Sequence, residues 1–94
     1  MLLEFLPQAE RDLEGIGDYI AADNPARAVT FIRELRAKCS SIQQTPQAYR
    51  LRPDLAEGLR SSVHGRYVIY FTTDNDTVRI IRVLHGAMDA AACL

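Results

Sequence analysis

Lysine, tryptophan and histidine are scarce in this chain, and charge of either sign is nearly balanced. Lys38 is the lone lysine, there is no tryptophan, there are two histidines, and the formal net charge is −1. Domains that hold nucleic acid by bulk electrostatics carry a clear basic excess, so direct nucleic-acid binding by the chain alone is not expected. Cys39 and Cys93 form no CxxC pair, and with so few histidines beside them they supply neither a disulfide framework nor a four-ligand zinc site. Both are expected as free thiols, with no metal and no other cofactor. The apolar runs are too short to cross a bilayer, and no basic flank precedes an extended apolar core at the N-terminus. Neither a membrane span nor a signal peptide is expected, and a cytoplasmic location is the default.

What is present is an ordered, globular composition. Apolar residues make up 48% and charged residues 24% of 94 positions, without repeats or low-complexity stretches. A chain of this length forms one domain, here residues 1–94, which hides about two-thirds of its unfolded surface around one core. Ten of the eleven basic residues are arginine, whose planar fork suits bidentate contacts to phosphate or carboxylate. Six of these, Arg50, Arg52, Arg60, Arg66, Arg79 and Arg82, fall between residues 49 and 85 against four acids, which makes the second half the basic half. Most are expected to be ordinary solvated charges.

The hydrophobic pattern predicts a short strand over 2–6, after which Pro7 suits a first helical turn. Ala9, Leu13, Ile16 and Ile20 recur as one buried helical stripe. Asn24 followed by Pro25 is a cap-and-start signal for a second helix, with Ala28, Phe31, Ile32, Leu35, Cys39 and Ile42 as its stripe. The short connection makes the two an antiparallel hairpin. Pro46 ends the second helix, and "QAYRLRPDLAEG" reads as a loop. The remainder is a meander: strands over 59–63, 66–73 and 77–85, joined by His64-Gly65 and Asp74-Asn75 as two-residue turns. The expected fold is α+β, in the order β-α-α-β-β-β, with a helical hairpin packed on one face of a small, mainly antiparallel four-stranded sheet.

Two-residue turns pair Ser62 with Tyr67 and Tyr67 with Arg82. Arg60, Tyr67, Ile69, Phe71, Val78, Ile80, Arg82 and Leu84 then share one face, and Leu59, Val63, Arg66, Val68, Tyr70, Arg79, Ile81 and Val83 the other. Both faces are largely apolar, yet one helical hairpin covers only one of them. The second face is expected to be exposed or covered by something else, which points to a protein partner. His64 and His85 fall at the same end of the sheet, with Arg82 just inward. Two histidines and an arginine can in principle supply the base, acid and phosphorane-stabilising cation of phosphodiester cleavage; the bland alternative is a turn histidine and a strand-end histidine. Arg82 interrupts an apolar strand, so it is expected to bind an anion or to form a buried ion pair.

The order of elements, "DL" at Asp12-Leu13, "YIAADNPARA" at the hairpin, "LRSSVHGRYVIYF" in the meander and "IIRVLHGAMD" at the end together resemble the ParE branch of the ParE/RelE toxin superfamily, along essentially the whole chain. The RVLHG stretch after the GRYVIYF strand is the most specific part. The resemblance implies the toxin of a bacterial type II toxin–antitoxin module, in hetero-oligomeric complex with a ParD-like antitoxin whose C-terminal segment wraps it; the apolar second face and the helix groove are where such a segment can lie.

Two chemistries occur in the superfamily. RelE-type members cut mRNA on the ribosome with a lysine-rich set, a last-strand arginine and a C-terminal tyrosine. Arg82 falls on that arginine, but the lysines are missing and no tyrosine follows His85. ParE-type members are understood to poison DNA gyrase by trapping its cleaved DNA complex, without chemistry of their own. The resemblance therefore implies gyrase inhibition and no catalytic residues, with Arg60, Tyr67 and Arg82 as candidates for binding target or antitoxin. The alternatives are a RelE-type nuclease using Arg82, His85 and His64, and an inactive toxin-like regulatory binding module.

Overall fold

The computed structural model describes residues 1–94. Strand β1 (Leu2–Phe5) leads directly into α1 (Pro7–Ala21), with Pro7 in its first turn, and α1 buries Ala9, Leu13 and Ile16. Asn24 caps α2 (Pro25–Gln44): its Oδ1 accepts the Arg27 amide N–H at 3.0 Å, and Pro25 supplies a fixed φ in the first turn, where its missing N–H costs nothing. Ala28, Phe31, Leu35, Cys39 and Ile42 form the buried stripe of α2, as the periodicity predicts. Ile32 is only partly buried and lies against Gly17 of α1.

After a short 3-10 turn at Pro46–Ala48 the chain runs through β2 (Arg50–Leu51), β3 (Arg60–His64), β4 (Tyr67–Thr73) and β5 (Thr77–His85), and ends in a one-turn helix, α3 (Ala90–Cys93). The sheet has five strands in the order β1-β5-β4-β3-β2. Only β1 and β5 are parallel. The α1–α2 hairpin packs on one face, where Leu13, Phe31, Leu35 and Ile42 meet Ile69, Phe71, Val78 and Ile80. Each such side chain, fully buried, contributes about 1.5–3 kcal/mol of transfer free energy.

The α+β class and the helical hairpin are as expected, with three departures. The sheet gains a fifth strand, because Arg50 and Leu51, read as loop, pair with Ser61 and Arg60. Two residues are too few to carry an alternating pattern, and this pairing is imposed by the neighbouring strand.

The turns differ too. Gly65 and Arg66, not His64 and Gly65, form the first turn; Gly65 has φ +59°. Glycine at the first of two central positions is the requirement of a type II′ hairpin turn. The second connection has three residues, closed by Asp74, whose Oδ1 accepts the Thr77 amide N–H at 3.1 Å. A bulge between Tyr70 and Phe71 then adds Ile81 to β5 as an extra residue. The observed partners of Tyr67 are therefore His64 and His85, and Arg82 stands opposite Tyr70. Beyond the bulge the faces exchange: Val83 joins the helix-side core, while Leu84 packs with Tyr70 on the far side.

Finally, the second face is not bare. Leu59, Tyr70 and Leu84 are buried there under Leu55 of the 52–58 loop and under Ala90 and Cys93 of α3. The chain's own C-terminal turn supplies cover that a hairpin alone cannot. Val63 remains 67% exposed on this face. No helix is long and apolar enough to cross a membrane.

Candidate functional site

Three strands end together beside the hairpin turn. His64, Tyr67 and His85 lie in register across β3, β4 and β5, and the Gly86 amide N–H donates to the Arg66 carbonyl at 2.7 Å, tying the turn to the end of β5. Phe31 of α2 faces this row, with ring centroids 5.4 Å from His64 and 5.6 Å from Tyr67; Tyr67 meets His85 edge-on at 5.3 Å. The two histidines thus flank one tyrosine.

Their nitrogens are differently engaged. His64 Nε2 lies 3.0 Å from Glu34 Oε1; an ionised carboxylate only accepts, so the proton sits on Nε2. Glu34 also accepts from Arg27 at 2.6 and 3.3 Å. Arg27, and secondarily His64, hold the Glu34 carboxyl below its usual range. His85 Nδ1 accepts the Ala87 amide N–H at 3.0 Å. An amide can only donate, so the neutral His85 ring carries its hydrogen on Nε2 and is a donor there. Its lone pair, which a general base needs, is committed to the backbone.

Beside this row lies an open cleft of about 560 Å³, lined by Tyr19, Ile20 and Arg27 at the hairpin and by Arg66, Tyr67 and His85 at the sheet end, with Phe31 and Gly65 at its back.

Arg82 is elsewhere. Its Nε and Nη2 donate to Asp12 Oδ2 and Oδ1 of α1 at 2.8 and 2.9 Å, and Nη1 donates to the Cys93 carbonyl at 2.7 Å. Asp12 Oδ2 also accepts the Val83 amide N–H at 2.9 Å. Side-chain exposure is 17% for Arg82 and 13% for Asp12, and the Asp12 hydrogen bonds raise the Arg82 pKa. Of the two roles expected from its place in an apolar strand, the structure gives Arg82 the ion pair.

Arg60 is at the opposite end of β3. Its Nη1 donates to the Tyr49 carbonyl at 2.7 Å and its Nη2 to Gln47 Oε1 at 2.8 Å, joining the 3-10 turn to the sheet. Arg60 and Tyr67 do share the helix-side face, at its two ends, but the expected grouping of Arg60, Tyr67 and Arg82 on one face does not form. The bulge at Ile81 separates Arg82 from it. Residue type alone does not single out Asp12, Glu34 or Arg27. An acid abutting an apolar helical stripe, as Asp12 abuts Leu13, is the signal that marks a carboxylate facing the sheet.

A second concavity, about 390 Å³ and almost wholly apolar, runs between the helices on their outer side, lined by Gly17, Ala28, Val29, Ile32, Arg33 and Arg36. Gly17 leaves it open. Arg36 is paired with Glu10 at 3.2 Å, whereas Arg33 has no carboxylate partner. No three His, Cys, Asp or Glu side chains converge to ligate a metal ion.

No curated protein matches the chain. Among solved structures, the "Chromosomal ParDE TA system from P. aeruginosa" shares the fold with a TM-score of 0.79 at 20% identity, over 90% of this chain and 95% of that one. Residues 3–90 match the family described as "ParE toxin of type II toxin-antitoxin system, parDE". The match takes in α1, α2, the sheet from Leu3 onward and the Asp12–Arg82 brace, and on that extent the chain belongs to the ParE toxin family.

Proposed function

We propose that this toxin inhibits DNA gyrase by trapping its cleaved DNA complex and is neutralised by a ParD-like antitoxin. The observation that carries the choice between the two superfamily chemistries is the internal commitment of Arg82. A nuclease of the RelE type needs its last-strand arginine free to meet a phosphorane. Here all three guanidinium nitrogens donate internally, Nε and Nη2 to Asp12 and Nη1 to the Cys93 carbonyl, and releasing the pair leaves a desolvated carboxylate behind. The occupied lone pair of His85 weighs in the same direction, since it removes one candidate base.

The antitoxin follows from membership of a family defined by two-component modules. The outer helical groove suits it: an apolar side chain fits between Gly17, Val29 and Ile32, and an adjacent acid can meet Arg33. The P. aeruginosa structure that shares this fold is that of a ParDE system.

Purified toxin added to gyrase, ATP and relaxed plasmid should reduce supercoiling and accumulate linear or nicked DNA, while mRNA on programmed ribosomes stays intact. Ribosome-dependent mRNA cleavage without any effect on gyrase would overturn the reading. Loss of neither gyrase activity nor mRNA, with the antitoxin still bound, would identify an inactive regulatory module instead.

A further inference from the structure

We propose that the cleft at the sheet end is a binding site for one nucleoside phosphate, its ring held on the aromatic wall and its phosphate held by Arg66 and His85. The inference stands apart from the gyrase reading and rests on what lines the cleft. Every polar side chain there can donate: the guanidinium groups of Arg27 and Arg66, the hydroxyls of Tyr19 and Tyr67, and the His85 ring. No carboxylate lines it. Glu34, the nearby acid, is already engaged by Arg27 and His64. Arg27 is thereby spoken for, but in a chain of net charge −1 Arg66, Tyr19, Tyr67 and His85 are donors with no carboxylate partner, and their complement is an anion.

Two of these donors are free, one on a pinned backbone and one on an oriented ring. Arg66 has no ion pair and no side-chain hydrogen bond, yet its backbone is pinned by the Gly86 amide. The His85 ring is oriented by the Ala87 amide at Nδ1, which leaves Nε2–H as its remaining donor. A carboxylate is satisfied by a single guanidinium fork, whereas a phosphate has three outer oxygens and needs donors from several directions. Two strand ends presenting different donors fit the latter.

The rest of the lining is Ile20, Gly65 and three aromatic rings, with Phe31 and Tyr67 tilted by 57° to each other. Tyr67 and Phe31 stand 5.6 Å apart, and Tyr19 projects from the end of α1 with 78% of its surface exposed. Exposed tyrosine beside arginine is the arrangement on which a base stacks, and such stacking tolerates any base. A volume of about 560 Å³ lies within the ordinary range for a small-ligand site. A one-nucleotide cleft requires no broad basic surface, so the low net charge is no obstacle. The nucleoside phosphate can be a free nucleotide or the phosphorylated end of a single strand.

The test is titration of the ¹⁵N-labelled full chain, followed by NMR shifts of the Gly65, Arg66 and Gly86 amides, with adenosine 5′-monophosphate, adenosine, inorganic phosphate, a 5′-phosphorylated trinucleotide and a Glu-Tyr dipeptide. The monophosphate should move these three amides saturably and bind at least tenfold more tightly than adenosine or phosphate alone. Arg66→Ser, at an exposed turn position without side-chain bonds, should weaken it about tenfold with the remaining spectrum unchanged. Tyr19→Ser should weaken the monophosphate but not phosphate. Tighter binding of the trinucleotide assigns the site to a strand end, and equal or weaker binding assigns it to free nucleotides. Absence of saturable shifts with both nucleotide probes, affinity unchanged by Arg66→Ser, or preference for the dipeptide would each overturn the proposal.

Discussion

The carboxylate of Asp12 accepts two hydrogen bonds from Arg82, 70 residues further along the chain, and a third from the Val83 amide. The third explains the first two. β1 pairs with β5 only as far as Ile80, so beyond it the β5 edge has unpaired amides, and Asp12 takes one of them from the flank of α1. Arg82 neutralises that carboxylate and carries the connection on to Cys93. Removing one partner of a buried pair strands the other, at a cost of about 3 kcal/mol. Asp12→Asn should therefore lower the urea midpoint strongly, and Arg82→Lys, which keeps the charge but loses the fork, should lower it by less. A change below about 0.5 kcal/mol for Asp12→Asn, within the range of ordinary surface substitutions, would show that the brace does not hold the fold.

Acid should weaken the fold by a different route. Glu34 is held down by Arg27 and His64, Asp54 by Arg52, and Asp74 by Arg79. Carboxyls with a lowered folded-state pKa bind fewer protons in the native chain than in the unfolded one. Their contribution is fully present above the unfolded value, 4.5 for Glu34 and 3.8 for the aspartates, and is lost as pH falls through the folded values. All three carboxylates are exposed, so the effect should be small and should shrink at high salt. Denaturation midpoints measured from pH 7 down to pH 3 should decline, and Glu34→Gln should flatten part of that decline.

The two thiols should differ sharply. Burial pushes the Cys39 thiol up to about 12 from 9.0, which leaves almost no thiolate at pH 8, whereas Cys93 is only partly buried. One equivalent of a thiol reagent should react in the native state and the second only on unfolding. The raised folded value also means that Cys39 contributes stability below its unfolded pKa and loses it as pH rises through the folded one. Rapid reaction of both thiols in the native protein would contradict this packing.

The outer helical groove offers a fourth test. Val29 is 52% exposed and lines that groove, so Val29→Asp should leave thermal stability within about 0.5 kcal/mol. Antitoxin binding should nevertheless weaken by at least tenfold, because a charge replaces an apolar contact beside the site for an acidic partner. Unchanged affinity would place the antitoxin on another surface.

The sequence announces the elements far better than it announces their alignment. Periodicity alone locates both helical stripes, and Asn24-Pro25 marks the start of α2 to the residue, because those signals are local. The registers fail for a physical reason: a β period of two carries no information about shifts by two, and the bulge at Ile81 leaves no trace in an uninterrupted run of apolar residues. That one extra residue moves Arg82 and Leu84 to the other face, and with it dissolves the expected group of Arg60, Tyr67 and Arg82. The meeting of His64, Tyr67 and His85 is half legible, since the strand directions put both histidines at one end; their partners Glu34 and Phe31 come from α2 and depend on tertiary packing. The parallel β1–β5 pairing, between the ends of the chain, has no local signature at all.

That pairing also sets the order in which the protein can be made. The α1–α2 hairpin rests on neighbouring segments and can form in microseconds as an isolated event, but β1 has no sheet partner until Thr77–Ile80 has been synthesised. β5 then serves two strands at once, β1 on one side and β4 on the other. Sheet closure is consequently a late, long-range step on a slower scale than the helices. A chain interrupted before β5 presents two unpaired edges and an uncovered hairpin, material for proteases and aggregation and not a partly working toxin.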